Sequence, residues 1–263
     1  MPTQIFEGAE ISYTDEGTGP TLVLLHAFPV DSRMWEAQVK DLSSRCRVIT
    51  PDFRGFGGSQ PPGPFTIPSL ADDIHAMLAA LKALPCVLGG LSMGGYVALN
   101  FVRKYPMDLR GLVLMDTKAD GDNSEQIANR NKMIEIARTQ GSKAIADMML
   151  PKMLSPDTID HRPDVVKQLR AMMESCSPLA IQYALTALRD RPDVTSELPS
   201  VPTPTLVIVG DADALTPPGV AESMAKQIPR AKLALVRGAG HMSAMEQPAQ
   251  VNRALRQFME ELG

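Results

Sequence analysis

Residues 86–96 read Cys86-Val87-Leu88-Gly89-Gly90-Leu91-Ser92-Met93-Gly94-Gly95-Tyr96. A short apolar run enters Gly-x-Ser-x-Gly, formed by Gly90, Ser92 and Gly94, and Val97, Ala98, Phe101 and Val102 then recur on one helical face. The pattern predicts strand, sharp turn and helix, the context in which this pentapeptide serves as a nucleophile elbow. Such a turn strains the serine backbone and crowds its neighbours, so small residues are needed on either side. Gly90 and Gly94 meet that need, and Gly89 and Gly95 add room. The Ser92 hydroxyl is then lifted clear of the sheet, and the Met93 amide, at a helix N-terminus, is positioned to donate to a developing oxyanion.

Outward from the elbow, the chain alternates strand and helix. Residues 4–7 and 11–14 read as an opening hairpin around Gly8. Residues 21–25 (Thr-Leu-Val-Leu-Leu) form a continuous apolar run that suits a strand buried on both faces, and they end at His26-Ala27-Phe28-Pro29. A helix carrying Trp35, Val39 and Leu42 follows, then a strand at 47–50 and an irregular loop marked by Gly55, Gly57, Gly58 and the cluster Pro61-Pro62-Gly63-Pro64. Residues 69–84 show helical spacing. After the elbow, a strand at 111–115 ends at Asp116, and further strands are expected at 205–209 and 232–236, with helices at 218–227 and over the last residues. Eight strands in this alternation predict an α/β fold with a doubly wound, mostly parallel sheet covered on both faces.

From about residue 118 to 191 no strand pattern survives, only helical pattern broken at Gly141, Pro151, Pro156 and Pro178. The reading is a core of residues 1–117 and 192–263 carrying a helical cap at 118–191. Six cap methionines, Met133, Met148, Met149, Met153, Met172 and Met173, are available either to line an adaptable apolar pocket or to pack the cap. Met148 and Met149 are the candidates for substrate contact.

Composition narrows the class. A net charge of −4 gives no basic footprint for nucleic acid, and no apolar run approaches the roughly 18 residues of a membrane span. The first twenty residues are polar and lack the apolar core of a signal peptide. Cys46, Cys86 and Cys176 are odd in number and scattered, which suits buried reduced thiols in a cytoplasmic protein. No His, Cys, Asp or Glu cluster has metal-ligand spacing, and no phosphate-loop or dinucleotide signature occurs, so neither a metal nor a cofactor is expected. Oligomeric state is left open.

The pieces His26-Ala27-Phe28-Pro29, Asp52-x-Arg54-Gly55-x-Gly57-x-Ser59, Gly90-Leu91-Ser92-Met93-Gly94-Gly95, Gly210-x-x-Asp213-x-x-x-Pro217 and Gly240-His241 together resemble the α/β-hydrolase superfamily, over nearly the whole length of the chain. Within it, the elbow and residues 188–193 are similar to small esterases and enol-lactonases, and more loosely to cofactor-free perhydrolases. The resemblance implies a Ser-Asp-His triad in that chain order, with Ser92 as nucleophile, His241 as base and Asp213 as the acid that orients it. Asp211 is read as a turn residue competing for the acid role, and Asp116 stands at a strand end that some superfamily members use instead. The oxyanion hole would combine the amides of Phe28 and Met93, with Ala27 replacing the commoner glycine and Phe28-Pro29 a candidate cis bond. The Phe28 side chain would border the acyl pocket.

His26 is expected to brace the oxyanion loop, His75 to be structural, His161 to lie in a solvated loop, and Trp35 to pack. Asp52 and Arg54 would tie down their own glycine loop. The expected activity is hydrolysis of a small carboxylic ester or lactone through an acyl-enzyme. Perhydrolysis on the same triad, carbon–carbon hydrolysis and a ligand sensor with little turnover are the alternatives.

Overall fold

The computed structural model describes residues 2–6, 8–59 and 63–263. Glu7, at the end of the first expected strand, and Pro61 and Pro62 of the expected loop lie outside the described residues. The strands are β1 (Thr3–Phe6), β2 (Ala9–Glu16), β3 (Thr21–Leu25), β4 (Arg47–Pro51), β5 (Cys86–Leu91), β6 (Leu109–Met115), β7 (Thr205–Gly210) and β8 (Ala231–Val236). They make one eight-stranded sheet in the order β1-β2-β4-β3-β5-β6-β7-β8. β1 and β2 pair antiparallel, as do β2 and β4, and every later pairing is parallel.

Helices cover both faces: α1 (Glu36–Leu42), α2 (Ile67–Ala80), α3 (Met93–Lys104), then α4 (Ser124–Met153), α5 (Pro156–His161), α6 (Pro163–Ser175) and α7 (Pro178–Arg189), and finally α8 (Pro218–Gln227), α9 (Ser243–Glu246) and α10 (Pro248–Leu262). The alternation of side chains across each strand sends Val23, Leu25, Leu88, Leu112 and Leu114 into one core with Leu70, Ile74, Met77, Val97 and Phe101 of α2 and α3. Leu22, Leu24, Val87, Val113 and Met115 enter the other, with Trp35, Val39 and Leu42 and with Val251, Leu255 and Phe258 of α10. Burial on both faces is why the central strands read as unbroken apolar runs. Trp35 is a packing residue, fully buried in the second core.

Two expectations need adjusting. The helix placed at 69–84 is α2, which begins at Ile67 after a reciprocal cap between Thr66 and Ser69. It stops early because Lys82 takes a left-handed backbone (φ 51) that no right-handed helix can contain. In the insert, Gly141 does break the helix, with φ 78 in the middle of α4. Pro151 does not end α4: it stands in the last turn, so the bond to the carbonyl four residues back that its missing amide forfeits is among the last of the helix, which runs on to Met153. Pro156, Pro163 and Pro178 open α5, α6 and α7, the position at which a proline ring already fits helical geometry.

The chain order reverses between β3 and its neighbour β5, since β4 lies on the far side of β3. A crevice forms beyond the carboxyl ends of the strands at such a reversal. The loops after β3, β5, β7 and β8 carry Phe28, Ser92, Asp213 and His241 to that end.

The tightest steric constraint lies beside the crevice. A Cβ on Gly90 would run into the backbone of Gly94, whereas one on Gly89 would meet the Leu24 side chain at 3.0 Å. Gly90→Ala is therefore expected to destabilise the fold by about 1–3 kcal/mol, as an overpacked core does. Gly89→Ala is expected to cost less, because its neighbours are side chains. Urea midpoints at unchanged m-value measure both.

Candidate active site

Ser92 stands between β5 and α3 at φ 54, ψ −111, a backbone region that side-chain-bearing residues seldom occupy. Its surroundings hold it there. The Ser92 amide donates to the Met115 carbonyl at 2.9 Å, and its own carbonyl accepts from the Gly95 amide at 2.9 Å and the Thr117 hydroxyl at 2.8 Å. A Cβ on Gly94 would strike the Leu25 backbone, so α3 crosses β3 at a spacing only glycine permits.

The loop after β3 comes up beside this turn. His26 is fully buried, and burial lowers its pKa. Its Nε2 accepts from the Phe53 amide at 2.9 Å, which leaves Nδ1 to carry the hydrogen and donate to the Ala27 carbonyl at 2.8 Å. The brace expected of His26 is thus a bridge between two loops. Ala27 is completely buried in the second core, so its methyl is accommodated by packing. The Phe28–Pro29 bond is cis. Among the described residues, neither the Phe28 nor the Met93 amide has a protein acceptor. Asp52 pins the glycine loop as expected, accepting from the Ser32 and Gly58 amides at 2.8 Å each. Arg54 ties the same loop to α2 through an ion pair with Asp73.

His241 and Asp213 meet behind the crevice, both buried. The His241 Nδ1 lies 2.9 Å from the Asp213 Oδ2. That oxygen also accepts from the Thr216 hydroxyl at 2.6 Å, while Oδ1 accepts from the Leu215 and Thr216 amides at 2.8 and 3.0 Å. Burial works against the Asp213 carboxylate, but His241 and these donors together hold its pKa below the usual range. An ionised acceptor makes Nδ1 the protonated nitrogen and leaves the Nε2 lone pair free. For His241, burial opposes the imidazolium, and Asp213, then Asp116 and Glu246, outweigh it and raise the pKa.

The competing carboxylates are occupied elsewhere. Asp211 accepts from the Gly238 amide at 2.8 Å, so its carboxylate joins the loop after β7 to the loop after β8 rather than closing its own turn. Asp116 accepts from the Gly210 amide at 2.9 Å and bonds the Ser243 hydroxyl. Burial and the nearby Asp213 charge push its pKa up to about 8.

Ser92 and His241 open onto the same cavity, of about 220 Å³, whose walls include Phe28, Met133, Met148, Met149 and Leu188. Met153, Met172 and Met173 are instead packed into the second core, so the six methionines divide evenly between the two uses. His75 stacks on Tyr105 at 3.7 Å with Nε2 2.9 Å from Asp108, the structural role expected of it, and His161 is exposed as expected but as the last residue of α5 rather than in a loop.

Several residues at the site escaped the sequence reading. Thr216 completes the shell of Asp213, and a hydroxyl three residues beyond that acid is its only trace. Glu246, 1% exposed, accepts from the Gly240 amide at 2.8 Å and from the Ser155 amide at 2.7 Å, joining the His241 loop to the end of α4. A lone acid directly after Met242-Ser243-Ala244-Met245 was the available signal. Asp122 is shared by Arg191 (2.6 Å) and Arg130 (3.0 Å), and the Arg191 guanidinium lies 4.4 Å from the Tyr96 ring centroid.

The model of the alpha/beta hydrolase family matches residues 22–254. The chain belongs to that family. This hydrolase is similar to a thermophilic esterase from Thermogutta terrifontis, solved with malate bound, at 41% identity over 99% of this chain and 97% of that one, with a TM-score of 0.95. It is also similar to the enol-lactonase from Burkholderia xenovorans LB400, at 28% identity, 98% and 100% coverage and a TM-score of 0.92. A bromoperoxidase from Bacillus anthracis aligns at 27% identity over 96% of both chains, with a TM-score of 0.85. Among the described residues of the hydrolase, no helix is long and apolar enough to cross a membrane.

The charges around the imidazole are open to a direct check. The His241 ring, followed by NMR against pH, is expected to titrate above the ordinary value of about 6.5. Glu246→Gln should lower that midpoint modestly and Asp213→Asn by more, since Asp213 is the largest raising influence.

Proposed function

We propose that the protein is a serine hydrolase that cleaves a small carboxylic ester or lactone through an acyl-enzyme on Ser92. The observation that carries this reading is a serine on a strained turn sharing one cavity with a histidine whose far nitrogen is bonded to a buried carboxylate. The likenesses to an esterase and an enol-lactonase support the bond type.

A serine hydroxyl is a weak nucleophile and needs a base within reach. His241, with Nδ1–H committed to Asp213, takes the Ser92 proton on Nε2 as Oγ adds to the substrate carbonyl carbon. The oxygen of that carbonyl becomes an alkoxide facing the Phe28 and Met93 amides, the two donors without a protein acceptor. One such donor is typically worth about 10²–10³ in rate. Collapse breaks the carbonyl carbon–oxygen bond to the alcohol, which leaves with the proton from Nε2. In a lactone the alcohol stays tethered to the acyl group. Water, deprotonated by the same nitrogen, then attacks the acyl-enzyme, and Ser92 departs with its proton restored. Residues 118–191 act in this scheme as a cap closing the cavity from above, with Phe28, Met148 and Met149 against the substrate.

The likeness to a bromoperoxidase supports a second reading, in which hydrogen peroxide replaces water in the second half-reaction and a peracid is released. The same residues serve both.

Hydrolysis of p-nitrophenyl acetate, butyrate and octanoate tests the scheme. Ser92→Ala is expected to abolish turnover, and Asp213→Asn to lower it by about 10³–10⁴-fold by disturbing the imidazole tautomer. Asp211→Asn should leave it nearly intact. Because neutral His241 is the active form and its pKa is raised, kcat/KM should fall as pH drops, with the limb above about 6.5. Turnover that survives Ser92→Ala would end the proposal. A gain in ester consumption on adding peroxide would favour the second reading.

A further inference from the structure

The wall of the cavity is not uniformly apolar. The loop after β6 and the first turns of α4 contribute Lys118, Asp122, Gln126, Asn129 and Arg130, and Lys152 comes from the end of α4. Gln126, Asn129, Arg130 and Met133 follow helical spacing, so one face of α4 delivers them together.

The charges on this strip do not cancel. Asp122, its side chain only 1% exposed, accepts from two guanidiniums at once, Arg191 and Arg130. Burial pushes its pKa up, but the two arginines bring it below the usual range, so the carboxylate is ionised and carries one charge against two. Lys118 is balanced by Asp120 at 2.6 Å. Lys152 has no ionic partner among the described residues. Three cations, Lys118, Arg130 and Lys152, and one carboxylate, Asp122, thus line the cavity, and with the partners Arg191 and Asp120 counted the cations still outnumber the carboxylates by two.

Arg130 is the cation best placed to act. It spends only Nε on Asp122, at 3.0 Å, and among the described residues neither Nη donates to the protein. Its side chain is 20% exposed, so the remaining donors sit in a partly desolvated wall, where a charge-assisted hydrogen bond is stronger than in water. A guanidinium edge with both Nη groups free matches a carboxylate in shape as well as charge.

We propose that this strip is an anion subsite, and that the substrate is a short ester or lactone bearing a carboxylate, held by Arg130 with help from Lys152 while its scissile carbonyl lies at Ser92. The assignment rests on the hydrolase reading for the second half of that statement only. The substrate is short because about 220 Å³ is less than the roughly 300–1,000 Å³ of sites for drug-sized ligands.

The test uses binding, so that it does not depend on turnover. Calorimetry on Ser92→Ala compares monomethyl glutarate, an ester with a free carboxylate, with neutral dimethyl glutarate. The anionic ester is expected to bind at least about ten-fold more tightly at low salt, the worth of one hydrogen bond to a charged group, with the advantage shrinking as salt rises. Adding Arg130→Gln should remove most of that preference, and Asp122 keeps Arg191 as its partner in this variant. Lys152→Gln, on an exposed residue, should reduce the preference without touching the fold. Equal affinities, a preference for the neutral ester, no binding of either, or a preference that survives both substitutions would each overturn the subsite. Wild-type turnover of p-nitrophenyl esters that is lost in Ser92→Ala would leave the hydrolase reading standing in all those cases.

Discussion

The backbone of Ser92 is the constraint to which the rest of the centre conforms. A residue held at φ 54, ψ −111 costs on the order of 1–3 kcal/mol, and persists only where surrounding structure over-determines it. Here the supports come from three elements: β6 through the Met115 carbonyl, α3 through its first amides, and the residue after Asp116 through the Thr117 hydroxyl. Each needs the sheet and helix closer together than a side chain would allow, which explains glycine at 90 and 94. The same turn puts the Met93 amide at the start of α3, and the loop after the adjoining β3 carries Phe28 to the same end of the sheet. Strain at one residue and a pair of donors without protein acceptors are therefore two consequences of a single crossing.

The inserted helices are tied to the sheet by polar groups as much as by apolar ones. Glu246 links the His241 loop to the end of α4, and the Cys176 thiol donates to the Pro29 carbonyl at 3.3 Å, while Arg191 and Arg130 converge on Asp122 and hold the two ends of the insert together. Buried ion pairs contribute little net stability, because desolvation offsets most of their attraction. What they supply is position. A helical layer docked by methionines and leucines alone could slide by a side chain's width, whereas a carboxylate accepting from two backbone amides cannot. The joints fall at both ends of the insert and against the loops that carry Phe28 and His241.

The central strands were legible because burial on both faces leaves an unmistakable apolar run, and the elbow was legible because its steric demands select glycine. Ser92, His241 and Asp213 lie at loops that the strand order carries to one end of the sheet, so their convergence followed once the strands were assigned. The polar wall was not legible in the same way. Asp122, Arg130 and Arg191 are separated by up to some seventy positions and look like ordinary surface charges. They become neighbours only through the packing of α4 against α7, which no local pattern encodes. Pro151 failed because its effect depends on which turn of the helix it occupies.

Three buried or nearly buried carboxylates surround one imidazole, and their environments separate them into distinct roles. Asp213 receives two backbone amides and a hydroxyl, so its charge is solvated by the protein and it remains ionised. Asp116 has one amide and one hydroxyl, lies fully buried and feels the charge of Asp213, and its pKa climbs to about 8. Glu246 is committed through both oxygens to backbone amides and acts on His241 only through space. Two acids pushed apart in pKa within one site are the arrangement by which environment assigns work to chemically identical groups. The direct partnership with His241 and the donors around Asp213, set against the full burial of Asp116 and its exposure to the Asp213 charge, decide which carboxylate holds a negative charge there. Proximity makes Asp116 a neighbour of the imidazole, and the donors around Asp213 make it the partner.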